Sequence, residues 1–173
     1  MTSTMQPRLM ETMLGEFQQE AATTKRVLER VPADKLAWKP HPKSMSLGQL
    51  AMHVATIPRG ITKMAQVDEY EANPANFNQA GPKDLSEILA ALDSGVKEAQ
   101  AYLGGLSDSE ALGHWRLTAN GKEVMALPRA AMLRMILLNH WYHHRGQLSV
   151  YLRLLEVPVP MIYGPSADEN PFA

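Results

Sequence analysis

Four long segments of this chain repeat apolar residues every three or four positions, and this spacing constrains the fold more than any other feature of the sequence. The segments lie at about residues 7–31, 46–70, 85–103 and 128–155. Each is long enough to form a helix whose apolar stripe packs into a shared core. The pattern therefore predicts an all-α fold, a four-helix bundle.

The sequences that separate these segments predict where the helices begin and end. Ser46 with Gln49 three residues later forms a capping-box pattern at the start of helix two. Pro58 lies inside that helix, where a missing backbone donor predicts a kink or a break at Ile57. Residues 73–84, "NPANFNQAGPKD", contain turn formers and no stripe, so they predict a long crossover connection.

Between helices three and four, the stretch "HWRLTANGKEVMAL" has a different pattern. Asn120-Gly121 between short runs of β-forming residues is typical of a two-residue hairpin turn. We therefore expect a small β-hairpin beside the helices. The length of 173 residues fits one domain covering residues 1–173.

Charge and hydropathy exclude two classes of partner. The chain has 17 basic and 18 acidic residues, and no stripe of Lys and Arg with interleaved aromatic residues, so we expect no nucleic-acid partner. No apolar run approaches the ~20 residues of a membrane span, so we expect no membrane partner. The opening residues "MTSTMQPRLM" lack the pattern of an export signal, which predicts a cytoplasmic location.

The chain contains no cysteine. A transition-metal site must therefore be built from histidine, carboxylate and water. Any thiol chemistry must likewise use a thiol that a substrate supplies.

Histidines in "LLNHWYHHRGQL" suggest a metal site. His140 and His144 lie one helical turn and about 40° apart, so both imidazoles can reach one ion. His143 lies about 80° from the midpoint of that pair, so we expect it to be exposed or at a helix contact. His53, on the buried stripe of helix two, is the best third ligand, although a hydrogen-bonded core histidine is the alternative. Three imidazoles leave coordination positions open, as in catalytic sites.

Other residues near these histidines are candidates for accessory roles. Gln49 and Gln147 lie about one turn from His53 and His144, where they could orient an imidazole, contact substrate or simply pack. Arg145, Arg59 and Tyr163 could meet an anionic substrate, with solvation or packing as the alternative. The sequence identifies no general acid or base. Gly146, inside a helical pattern, predicts close approach of another helix or a dimer partner.

The stretches "LGQLAMHVA", "HHRGQLSVYLRLLEVPVP" and "YGPSADE" resemble the DinB family, also called DinB/YfiT-like, of bacterial four-helix-bundle metalloenzymes. The resemblance implies that His53, His140 and His144 bind a divalent ion such as zinc or nickel. It also implies a homodimer. In some branches of the family it implies transfer or isomerisation reactions that use a low-molecular-weight thiol such as bacillithiol or mycothiol.

Two functions follow as expectations. In the first, the chain is a metal-dependent enzyme, a thiol S-transferase-like transferase or a hydrolase, whose ion lowers the pKa of a thiol or of water to generate a nucleophile. In the second, it is a non-catalytic dimeric protein that binds a metal or a stress-related metabolite.

Overall fold

The computed structural model describes residues 9–73 and 81–172 of the chain, and these residues are mostly helical. Its helices are α1 (Leu9–Leu28), α2 (Leu47–Ala65), α3 (Leu85–Gly105), α4 (Asp108–Leu112), α5 (Arg129–Met132) and α6 (His140–Leu154). A π-helical stretch, Leu133–Asn139, joins α5 to α6. The strands are β1 (Glu69–Glu71), β2 (His114–Ala119) and β3 (Lys122–Pro128).

Long helical segments occur where the apolar stripes predict them. The fourth is a continuous helical run over residues 129–154 that includes the π-helical stretch, which 3.6-residue periodicity does not predict. Helix α2 packs against α3 and α6, and α1 packs against the same two helices. In the crossover connection, residues 74–80 lie outside the described part of the chain, as does the predicted start of helix one at Pro7.

Helix α2 begins as predicted. The Ser46 hydroxyl accepts a hydrogen bond from the Gln49 backbone N–H at 3.2 Å, and the Gln49 side-chain oxygen accepts one from the Ser46 N–H at 2.9 Å. These reciprocal bonds satisfy two backbone donors that a helix start otherwise leaves unpaired. The capping box is therefore confirmed.

Pro58 does not break α2 at Ile57, because the helix continues to Ala65. Proline has no N–H to donate to the carbonyl four residues earlier, which belongs to Val54. The indole N–H of Trp141, at the start of α6, donates to that carbonyl at 2.8 Å. The bond lost within α2 is thus replaced by one that ties α2 to α6.

A three-stranded sheet lies beside the helices and corrects the all-α prediction. Asn120 and Gly121 have φ values of 53° and 71°, as a type I′ turn requires, so the predicted hairpin of β2 and β3 is confirmed. The prediction that helix two runs to about Tyr70 is wrong, because α2 ends at Ala65 and residues 69–71 form β1. Strand β1 pairs with β2 in parallel.

Buried aromatic residues join the helices and the sheet into one core. Phe17 of α1 stacks on Trp141 with ring centroids 5.2 Å apart. Trp115 of β2 is fully buried and donates its indole N–H to the Met64 carbonyl of α2 at 3.1 Å. Within the described ranges, no helix is long and apolar enough to cross a membrane.

Candidate metal centre

Three histidines that are far apart in sequence converge between α2 and α6. We call His53, His140 and His144 the histidine triad. One ring nitrogen from each lies within 4.8 Å of the other two, and the Nε2 atoms of His53 and His140 are 3.3 Å apart. Residues 9–73 and 81–172 contain no other group of three or more potential ligands drawn from histidine, aspartate and glutamate.

The spacing of the triad suits a small divalent ion. Nitrogens held at ~2.0–2.1 Å in tetrahedral geometry lie about 3.3–3.4 Å from one another. The 3.3 Å separation of His53 Nε2 and His140 Nε2 matches this distance between two ligand nitrogens. The same separation also permits a hydrogen bond between the two rings when no metal is bound. The three ring centroids are 4.5 to 5.2 Å apart, so all three rings surround one point.

Neighbouring packing explains how the chain brings these rings together. His140 and His144 lie one turn apart on α6 and face the same side, as predicted from their spacing. His53 comes from α2, and its neighbour Val54 accepts the hydrogen bond from Trp141, the neighbour of His140. The bond between Val54 and Trp141 therefore sets the register of the two helices directly beside the triad.

Burial keeps the triad in the form that binds metal. Burial lowers the pKa of His53 to about 4, with a smaller effect from the charges that His144 and His140 carry when protonated. Burial also lowers the pKa values of His140 and His144. Neutral imidazoles, which are the metal-binding form, therefore predominate at neutral pH.

A hydrogen bond to a residue outside the triad orients the ring of His144. Nδ1 of His144 lies 2.8 Å from the side-chain oxygen of Gln147, which can only accept, so Nδ1 carries the proton and Nε2 has a free lone pair. Such bonds fix the tautomer of a ligand and hold its ring in place. The backbone of Ile136, in the π-helical stretch, partly offsets the lowering of the His140 pKa.

The other candidate residues lie in different surroundings. Gln49 lines the cavity described below, while its side-chain oxygen serves the capping box. Arg145 and Tyr163 do not line that cavity, and Arg145 is 1% exposed. The Arg145 guanidinium instead donates to Tyr163 Oη at 2.6 Å and forms a 2.5 Å ion pair with Glu20 of α1. Arg59 pairs with Glu98 at 3.1 Å.

Two further predictions from the histidine-rich stretch can be compared with the structure. His143 is exposed and lies outside the triad, as predicted. Gly146 has no atom of another residue within 4 Å of where its Cβ would be, so no helix of this chain approaches it closely. The predicted close approach is therefore absent among the described residues, and the dimer partner stays a prediction.

A cavity of about 770 Å³ opens at the triad, which sequence reasoning did not predict. It runs along α2 from His53 past Gly60 to Met64, and Tyr70 and Leu117 of the sheet line the opposite side. The α2 residues recur every three or four positions from His53, so helical spacing could have identified them. The triad therefore lies where a small molecule could reach an ion that the three rings would hold.

Comparisons with known proteins agree with this architecture. The family model described as DinB family matches residues 1–171. The chain is 25% identical over 162 residues to "Uncharacterized protein YrdA" of Bacillus subtilis (strain 168), which covers 92% of this chain and 91% of that protein.

Solved structures with the same fold include two DinB-like proteins. One, from Bacillus cereus, has a TM-score of 0.69 and 22% identity and covers 88% of this chain and 97% of that chain. The other, YjoA from Bacillus subtilis, has a TM-score of 0.65 and 18% identity, with 91% and 98% covered. At these identities the two structures support the fold alone.

Proposed function

The chain belongs to the DinB family, and we propose that it is a metal-dependent enzyme whose histidine triad holds one divalent ion. The observation that carries the proposal is the convergence of three imidazoles, with a 3.3 Å Nε2–Nε2 separation between His53 and His140, at a cavity of about 770 Å³. A structural metal site is usually closed by four protein ligands, whereas three ligands beside a cavity suit catalysis. Zinc or nickel is the ion that we propose.

The proposed reaction is a transfer, an isomerisation or a hydrolysis on a small-molecule substrate. When bound, a divalent ion supplies the Lewis acidity that lowers the pKa of a low-molecular-weight thiol or of water. The chain supplies three imidazoles held neutral by burial, and Gln147 keeps the lone pair of His144 directed at the centre. Ile57 and Ile136 give the cavity wall beside the triad an apolar surface.

Metal analysis tests the premise of this proposal. Protein purified without an affinity tag is expected to contain about one divalent ion per chain, and the His53→Ala and His144→Ala variants are expected to lose it. The matched control is His143→Ala, which removes an exposed histidine next to the triad and is expected to retain the metal. Undiminished metal in both triad variants would contradict the assignment.

Turnover tests whether the site is catalytic. Metal-loaded protein is expected to accelerate the reaction of a small thiol with an electrophilic acceptor, or the hydrolysis of an ester, and to lose this activity on chelation. If chelation lowers stability and a broad panel of thiols and esters shows no turnover, the chain is instead a non-catalytic metal-binding protein.

A further inference from the structure

We propose that the substrate of this site has an uncharged, apolar body that fills the cavity along α2, and that Gly60 determines how large this body can be. This inference rests on the proposed function, because it concerns the same site. Its starting point is the contrast between the two parts of the cavity. The histidines share one part with the polar side chains of Ser44 and Gln49, whereas most residues farther along α2 and facing it are apolar: Ile57, Ile61, Met64, Leu117 and Ile136.

The walls of the cavity offer no opposite charge to a charged substrate. Among the described residues that line it, none is an aspartate, glutamate, lysine or arginine. The hydroxyl of Thr56, midway along the wall, already donates to the Met52 carbonyl at 2.9 Å. A charged group in this part of the cavity would lose hydration without gaining a partner of opposite charge. A negative charge is therefore favoured only where the substrate meets the ion.

The length of the cavity indicates the length of the substrate body. His53 and Met64 both line it from α2, and at the rise of an α-helix they are about 16 Å apart along the axis. Ile136 lies about one turn before His140 and lines the cavity from the π-helical stretch. An extended aliphatic or aromatic body fits this shape better than a compact polar one, because each buried apolar group gains from leaving water.

Gly60 is the residue that keeps the cavity wide. A Cβ at this position would meet no other atom within 4 Å, although the glycine lies inside α2 and lines the cavity. Packing explains Gly95 of α3 instead, where a Cβ would lie 3.3 Å from the Arg59 side chain. Glycine destabilises a helix interior, and no packing contact compensates at Gly60. Because Gly60 lines the cavity, a longer side chain at this position would occupy space that is open to a ligand.

A series of straight-chain hydroxamic acids tests the apolar body, because hydroxamates bind zinc through one end. Zinc-loaded protein is titrated by calorimetry with each acid from acetohydroxamic to octanohydroxamic acid. The Kd is expected to fall about fourfold for each added methylene until the cavity is full. Analogues that end in a carboxylate or an ammonium group are expected to lose this gain. An equal Kd across the series, or tighter binding of the charged analogues, would overturn the inference.

Gly60→Leu tests the role of that residue, and Gly15→Leu is its matched control. Gly15 also lies inside a helix with no atom within 4 Å of a Cβ, but it does not line the cavity. Gly60→Leu is expected to weaken octanohydroxamic acid at least tenfold, whereas Gly15→Leu is expected to bind it like the unmodified protein. Equal affinities for the two variants would overturn the assignment of Gly60. The zinc content of each variant shows that the triad is intact.

The same experiment separates this inference from the proposed function. If the unmodified protein binds no zinc, the proposed function fails. The cavity is then judged by titrating metal-free protein with 1-alkanols from butanol to octanol. The inference is supported if alkanol affinity rises with chain length and is lower in Gly60→Leu. It is overturned if affinity neither rises with chain length nor falls in that variant.

Discussion

At the scale of single residues, His144 depends on a neighbour that is not itself a member of the triad. The Gln147 side-chain oxygen accepts a hydrogen bond from Nδ1–H of His144. This contact decides which nitrogen of the His144 ring carries a lone pair. The chemistry of the site thus extends beyond the three imidazoles.

Replacing Gln147 tests this dependence. We expect Gln147→Leu to weaken metal binding about 10- to 100-fold, because the His144 ring loses the bond that fixes its tautomer and orientation. Competition with a chelating dye measures the change. Gln18→Leu, an equivalent change at an exposed position of α1, is the control and should leave metal affinity as it was. Equal metal affinities in the two variants would show that Gln147 does not contribute to metal binding.

The pKa of His53 predicts how pH affects the metal-free protein. Its pKa is lowered from 6.5 to about 4, so between these values the unfolded chain binds a proton that the folded chain does not. Stability is therefore unaffected by His53 above about pH 6.5 and falls as the pH drops toward 4. Denaturant unfolding in the presence of a chelator is expected to show a shallower fall for His53→Gln. If stability falls equally with pH in the unmodified protein and in His53→Gln, this prediction is contradicted.

At the scale of elements, α2 and α6 are joined by a hydrogen bond that takes the place of one lost within α2 at Pro58. Pro58 leaves the Val54 carbonyl without its helical donor, and the Trp141 indole replaces that donor. Both Val54 and Trp141 are fully buried, so no bulk water can take the place of the indole. The registration of the helices beside the triad therefore depends on this pair.

A double-mutant cycle tests this link between the helices. We expect Trp141→Phe to destabilise the fold by about 1–3 kcal/mol, because it leaves a buried carbonyl unsatisfied. In a Pro58→Ala background the helix supplies its own N–H to that carbonyl, so the same substitution should cost less. Urea unfolding measures both costs. Strictly additive effects of the two substitutions would show that the indole bond does not compensate for the proline.

Sequence patterns predicted those structural elements that depend on residues close to one another in the chain. The stripes, the Ser46 capping box and the Asn120-Gly121 turn each depend on residues within one or two turns of one another. Strand β1 was missed because it gains its partner only from a parallel pairing with β2, far along the chain. The π-helical stretch was missed because its hydrogen bonds leave no distinct apolar period.

At the scale of the whole molecule, the C-terminal tail is fastened to α1 and α6 by charged side chains. Glu169 pairs with Arg26 of α1 and with Arg30 just after it, while Asp168 pairs with Arg153 of α6. From inside the core, Arg145 donates to the hydroxyl of Tyr163 in the tail. The resemblance of the stretch "YGPSADE" to the DinB family thus has a structural explanation, because these residues hold the tail against the helices.

Arg145 is expected to matter for stability rather than for substrate binding. Arg145→Met should destabilise the fold by about 3–5 kcal/mol, because it leaves the Glu20 carboxylate, 12% exposed, without its cationic partner and with only the Tyr163 hydroxyl as a donor. Arg153→Met, which removes an exposed ion pair with Asp168, is the control and should cost under about 1 kcal/mol. Thermal unfolding compares them. Similar losses in the two variants would contradict the distinction.

The candidate site was predictable in part. Helical spacing on α6 selected His140 and His144, the apolar stripe of α2 selected His53, and the structure brings all three together. The cavity was not predictable, because its walls come from α2, the π-helical stretch and two strands whose packing no local pattern reveals. The homodimer and the cytoplasmic location stay predictions.

The pairing of β1 with β2, which completes the cavity wall, also affects the order in which the chain folds. Tyr70 and Leu117 meet only when β1 pairs with β2, which closes a loop that contains all of α3. Local helices form before such distant pairings, because loop closure costs entropy that only later contacts repay. During refolding, helical circular dichroism should therefore recover before the chain regains its capacity to hold a ligand.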